Sequence, residues 1–176
     1  MISSFLLSLS VTLVFSDGSH DVISSDNQPE MFSNRPPPCK GTANPHALNA
    51  FINNHILQHH FDTSKPSAWA SYLTAARICG VQPHLSFLHK NDFKNIVHIC
   101  KGQGVRDTDN MCISVSKFRV FIVQSVMRNG HCQVQLQIEH AHLIVACEAY
   151  HNFCFPVHFG GFTYRLPPGH SHYCTA

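Results

Sequence analysis

The sequence predicts an α+β domain with an antiparallel sheet, tied together by disulfides. Three observations lead there. Apolar residues recur at helical spacing through the first half of the chain and at every second position through much of the second half, so helices precede a meander of strands. Asn129-Gly130, set between two strand-like runs, is a strong two-residue hairpin turn. Eight cysteines in 176 residues include no Cys-x-x-Cys pair, which reads as a disulfide framework rather than a zinc site. With 44% hydrophobic residues the chain can bury one ordinary core, so a single domain is expected.

Residues 1–16 (MISSFLLSLSVTLVFS) form an apolar run ending in Val14-Phe15-Ser16, with slim or small residues where a signal peptidase reads, and are expected to be a cleaved secretory signal. The run is too short to span a membrane, and no other apolar stretch approaches the roughly 18 residues required. Residues 17–43 are polar and proline-rich around Pro36-Pro37-Pro38-Cys39 and read as a flexible leader. The expected domain, 44–159, opens with Asn44 as a helix cap and Pro45 at the first helical position. Leu48, Phe51, Ile52, Ile56 and His59/His60 then recur at helical spacing for about four turns, with His60 at the end of the buried stripe. Trp69 to Arg77 is a second helix. Cys79 to His89 turns into a strand, with Ser86 and Leu88 on one face and Phe87 and His89 on the other. Asn91 to Cys100, capped by Asn91, is a third helix that turns Phe93, Ile96, Val97 and Cys100 inward. Ile113 to Met127 is rich in β-branched and aromatic residues, and Cys132 to Ile138 alternates cleanly. Phe153, Phe155, Val157 and Phe159 alternate with Cys154, Pro156 and His158, so His158 points away from the apolar face. Residues 160–176 form a C-terminal extension whose Cys174 ties it back.

Charge narrows the partners. The net charge is only +2 with histidines neutral, modest for a protein that grips a polyanion through lysine and arginine. Fifteen histidines make the surface strongly cationic near pH 5 to 6. The clusters His59-His60, His140-x-His142 and His170-x-His172 lack a carboxylate or thiolate to complete a metal site, so no metal is expected. No Asn-x-Ser/Thr acceptor occurs, so N-glycosylation is not expected.

The run Ile144-Val145-Ala146-Cys147-Glu148 followed by Pro156-Val157-His158-Phe159, with Gln58-His59-His60-Phe61-Asp62 at the expected helix end, resembles the pancreatic-type (ribonuclease A) secreted ribonuclease family. The resemblance spans about residues 46–159. It implies three short helices packed on a curved antiparallel sheet. It also implies an extracellular monomer without cofactor, acting on single-stranded RNA. His158 would be the catalytic acid. Aligning Asp62 makes His60 the general base, and a one-residue slip would give that role to His59. Ser86 would read a pyrimidine base, and Phe159 would flank the acid. By the same resemblance Cys79 pairs with Cys132 and Cys100 with Cys147. A third family bridge would need cysteines near Leu73 and Val123, which are apolar here. Cys39, Cys112, Cys154 and Cys174 are left with three connectivities.

Two histidines on opposite sides of a phosphodiester can cleave RNA without metal, one accepting the 2′-OH proton and the other protonating the departing 5′ oxygen. The family's lysine for the phosphate oxygens is absent. No lysine lies between Lys65 and Lys90, and Gln82 or Gly80 stands in its place depending on where two extra residues are put. Gly160 replaces the family's orienting aspartate and Leu85 an asparagine. Losing one preorganised oxyanion donor costs roughly 10² to 10³ in rate. The expectation is therefore an RNA-binding protein with weak endoribonuclease activity and pyrimidine preference. Lys90, Lys94, Arg77 or a protonated His84 are the substitutes for the missing charge. The alternative is a noncatalytic secreted binding or host-defence protein on the same scaffold, directed at a receptor or an anionic surface.

Overall fold

A computed structural model describes residues 37–40, 44–82, 84–166 and 172–175. The expected signal 1–16, most of the leader and His170 lie outside the described residues. Three helices, α1 (Ala47–His55), α2 (Pro66–Ala75) and α3 (Phe93–His98), accompany five strands. These are β1 (His84–Leu88), β2 (Gly104–Arg106), β3 (Met111–Arg128), β4 (His131–Tyr150) and β5 (Phe153–Thr163). All pair antiparallel in the order β1-β3-β4-β5, with β2 also on β3. This is the expected α+β architecture. Asn129 and Gly130 both have positive φ, as the two central residues of a tight hairpin turn require, and join β3 to β4 with Arg128 opposite His131.

The core has two parts. Around Trp69, Leu73, Phe87, Phe121 and Val123, α2 is sealed onto the sheet. Leu73 and Val123, which stand where a further bridge would be, are fully buried in this cluster, so apolar contact replaces a covalent tie there. Phe51, Ile56, Leu88, Ile96, Val120, Leu143 and Val145 form the second part under α1 and α3. Both implied disulfides are present, Cys79–Cys132 and Cys100–Cys147. The remaining four pair as Cys39–Cys154 and Cys112–Cys174. The second of these draws the C-terminal segment along the edge of β2, where Arg106 N–H donates to the His172 carbonyl (2.7 Å) and Cys174 N–H to that of Gly104 (2.9 Å).

Several elements depart from the sequence reading. α1 starts at Ala47, because Asn44 spends its side-chain oxygen on the His46 N–H (2.9 Å) in a turn ahead of the helix. It ends at His55, a full turn early. Ile56 is extended and bridges Leu88, Leu57 N–H donates to the Leu88 carbonyl (3.0 Å), and Gln58 Nε2 donates to the carbonyls of Ile52 and Ile56. Pairing with β1 outweighs one more helical turn, and β-branched Ile56 suits the extended backbone. The third helix is shorter as well. Asn91 lies in a 3-10 turn, Lys90–Asp92, ahead of α3, and a π turn, Ile99–Gln103, follows it. In β1, Phe87 and Leu88 are both buried, since both faces of the strand are covered there.

β5 corrects the expected alternation. Cys154 and Pro156 are buried, while Phe153 is 59% exposed. A register shift between Ala146 and Cys147 opposes Pro156 to Cys147 and His158 to Ala146, so Val157 is an extra residue. That bulge flips the parity of the strand. Phe159 thereby rejoins the core face of Cys154 and Pro156, and His158 remains exposed. A second shift between Ile144 and Val145 carries the strand on to Thr163, past the expected boundary at Phe159.

Candidate active site

The histidine at the end of α1 is His55, on the last helical turn one turn after Phe51. α1 packs on both β1 and β5, which brings together residues distant in sequence. His55 Nδ1 lies 3.0 Å from the Ser86 carbonyl oxygen on β1, and its ring lies 5.2 Å from that of Phe159 on β5 and 5.7 Å from that of Phe51. A carbonyl only accepts, so Nδ1 carries the proton and the neutral ring keeps its Nε2 lone pair free. Burial pushes the His55 imidazole below its ordinary 6.5, the Ser86 hydrogen bond opposes this, and the charge of nearby His158 lowers it further. The net effect favours the neutral ring, the form a proton acceptor needs.

The sequence-derived residues fall into two sets. His158, Phe159 and Ser86 converge around His55, Ser86 through its carbonyl. His60 and His59 do not belong to that cluster. Both are exposed in the connector after α1, and the His60 ring neighbours His89 at 6.0 Å. The early end of α1 is the cause, and the rest of the connector is committed to α2. Phe61 stacks on Tyr72 and meets Trp69 edge-on, each at 4.9 Å. Asp62 accepts from the Ser64 hydroxyl (2.6 Å) and pairs with Lys65 (3.0 Å), interactions that hold its carboxyl down at about 2. The Phe61-Asp62 match that favoured His60 is therefore the lead-in to a helix. The cue that was passed over is the Phe51-x-x-x-His55 spacing just before a β-branched residue.

Gln82 is exposed in the turn between Cys79 and β1 and brings an amide, not a cation. His84 shares a face of β1 with Ser86 by the two-residue period and lines a cavity of about 440 Å³ with Arg128 and Gln124. At Gly160 a side chain would meet the Met111 terminal methyl and press on Ile144, so Met111 would have to turn aside for a carboxylate there. The histidine clusters divide. His140 is exposed, whereas His142 is buried with Nδ1 2.8 Å from the Ser114 carbonyl. Among the described residues no helix is long and apolar enough to cross a membrane.

No family model and no curated protein sequence matches this chain. Solved structures do. The chain is similar to the X-ray structure of SS-RNase-2 des116-120, at 20% identity and a TM-score of 0.52 over 66% of this chain and 98% of that one. It is also similar to green turtle egg white ribonuclease, at 14% identity and a TM-score of 0.51 over the same shares. At such identities the likeness is one of fold, and with its three helices, five-stranded antiparallel sheet and four disulfides this chain has the ribonuclease A-like fold.

Proposed function

We propose that the cleft between α1, β1 and β5 binds single-stranded RNA outside the cell and cleaves it slowly by metal-free transphosphorylation, with His55 as base and His158 as acid. The observation that carries this is the Nδ1 of His55 on the Ser86 carbonyl, which leaves Nε2 unprotonated beside His158. Nε2 takes the proton of the 2′-OH, the 2′ oxygen bonds to phosphorus, the bond to the 5′ oxygen breaks, and His158 protonates that oxygen. The products are a 2′,3′-cyclic phosphate and a 5′-OH. The Ser86 hydroxyl offers one donor and one acceptor to a pyrimidine edge. Slowness follows from Gln82 and Gly160, which supply neither a phosphate-directed cation nor a carboxylate for His158. A protonated His84 on the Ser86 face would partly replace the cation and move the optimum toward acid.

The test is cleavage of a short pyrimidine-containing RNA at pH 5.5 and 7.5. His55→Ala and His158→Ala should each abolish activity and His60→Ala should retain it. Loss in His60→Ala with survival in His55→Ala would overturn the assignment of the base. Equal activity in all variants would identify a contaminant and leave a noncatalytic binding protein on this scaffold.

A further inference from the structure

A cavity of about 600 Å³ opens between the approach to α3 and the paired strands β3 and β4, and neither His55 nor His158 lines it. Lys117 and Arg119 stand two residues apart on β3, hence on one face, and His140 is Arg119's cross-strand partner on β4. The opposite wall supplies His89, Asp92 and Asn95. Lys117 and Arg119 are exposed, and the ion pair found among the described residues, Lys65 with Asp62, involves neither. Among the described residues Asp92 is the one carboxylate lining the cavity, and it offsets one of the two fixed positive charges.

His89 Nδ1 accepts the Asn91 N–H (3.2 Å), which leaves the proton of the neutral ring on Nε2 as a further donor, and the His60 ring lies 6.0 Å from it. Beneath the site, His142 is committed to the Ser114 carbonyl and takes no part. The lining also bears on ligand class. Its one phenyl ring, that of Phe118, is only 7% exposed, so a nucleobase would have to stack on the His89 or His140 imidazole or on the Arg119 guanidinium. Amide and hydroxyl side chains, Asn91, Asn95 and Ser116 among them, are the groups that bond to sugar hydroxyls.

We infer that this cavity binds a sugar carrying a phosphate or sulfate ester. Lys117 and Arg119 hold the oxyanion and the asparagines hold sugar hydroxyls. The site is separate from the His55–His158 cleft and does not depend on that cleft being catalytic.

Calorimetric titration of the full chain with glucose 6-phosphate, glucose 6-sulfate, glucose, inorganic phosphate and cytidine 3′-monophosphate tests it. Both sugar esters should bind and glucose should not. Whichever ester binds better names the oxyanion. The double variant Lys117→Gln/Arg119→Gln, at exposed positions, should weaken ester binding roughly tenfold or more. His55→Ala should leave ester binding intact. Unchanged affinity in the double variant, equal binding of glucose, or inorganic phosphate binding as tightly as the esters would each overturn the proposal. Tighter binding of the nucleotide, lost in the double variant, would also overturn it, in favour of a nucleotide site.

Discussion

His55 is buried enough to resist protonation, and that has a consequence for stability as well as for chemistry. Its folded value lies below 6.5, so between the two values the unfolded chain binds more protons than the folded one. The stability it contributes is complete above about pH 6.5 and is lost as pH falls through the lower folded value. The wild-type melting temperature should therefore fall more steeply than that of His55→Gln as pH drops below about 6.5, which a pH series of thermal melts will show. Gln82 makes a complementary prediction. It is exposed in a turn, so Gln82→Lys should fold normally, and restoring a cation at the phosphate should raise RNA cleavage by about 10² to 10³. No gain, measured beside His158→Ala as a blank, would mean that the turn does not face the reacting phosphate.

At the level of elements, the end of α1 decides which histidine enters the cleft. Gln58 supports that end by donating to two carbonyls, so Gln58→Ala should lower stability by about 1–3 kcal/mol in urea titrations and weaken catalysis through His55. His158 is exposed by way of the Val157 bulge and not by strict alternation; the α+β order and the hairpin at Asn129-Gly130 were legible because periodicity and turn chemistry are local. The helix end was not. The stripe Ile52, Ile56, His60 has helical spacing, yet Ile56 is captured by Leu88, a strand residue about thirty positions away that local pattern cannot weigh. The β5 faces were misread for a similar reason, since strict alternation assumes no bulge and Val157 is one. Ser86 and Phe159 were singled out through resemblance and both lie against His55, whereas the position of His55 between them depends on the packing of α1 on two strands.

For the molecule as a whole, the disulfides divide the labour. Cys79–Cys132 and Cys100–Cys147 tie helices to the sheet, while Cys39–Cys154 and Cys112–Cys174 fasten the two ends of the described chain to it. Cys112→Ala/Cys174→Ala should cost about 2–4 kcal/mol in denaturant melts, the usual range for a disulfide. It should also free the β2 edge, read as faster exchange at the Arg106 and Cys174 amides. The balance of charge acts at the same scale. With a net charge of +2 and fifteen histidines, RNA affinity should rise from pH 7.5 to 5.5 and fall with added salt at both. Affinity that ignores pH would mean that the histidine-rich surface is not what meets RNA.

Met111 bears on how this chain could change over generations. Its terminal methyl lies where a Gly160 side chain would begin, and because that methyl is the free end of a flexible side chain, a carboxylate at 160 needs Met111 only to turn aside. Gly160→Asp should therefore fold with a modest loss of stability, which Met111→Ala in the same chain should partly recover. The two positions are coupled, and a smaller residue at 111 widens what 160 can accept.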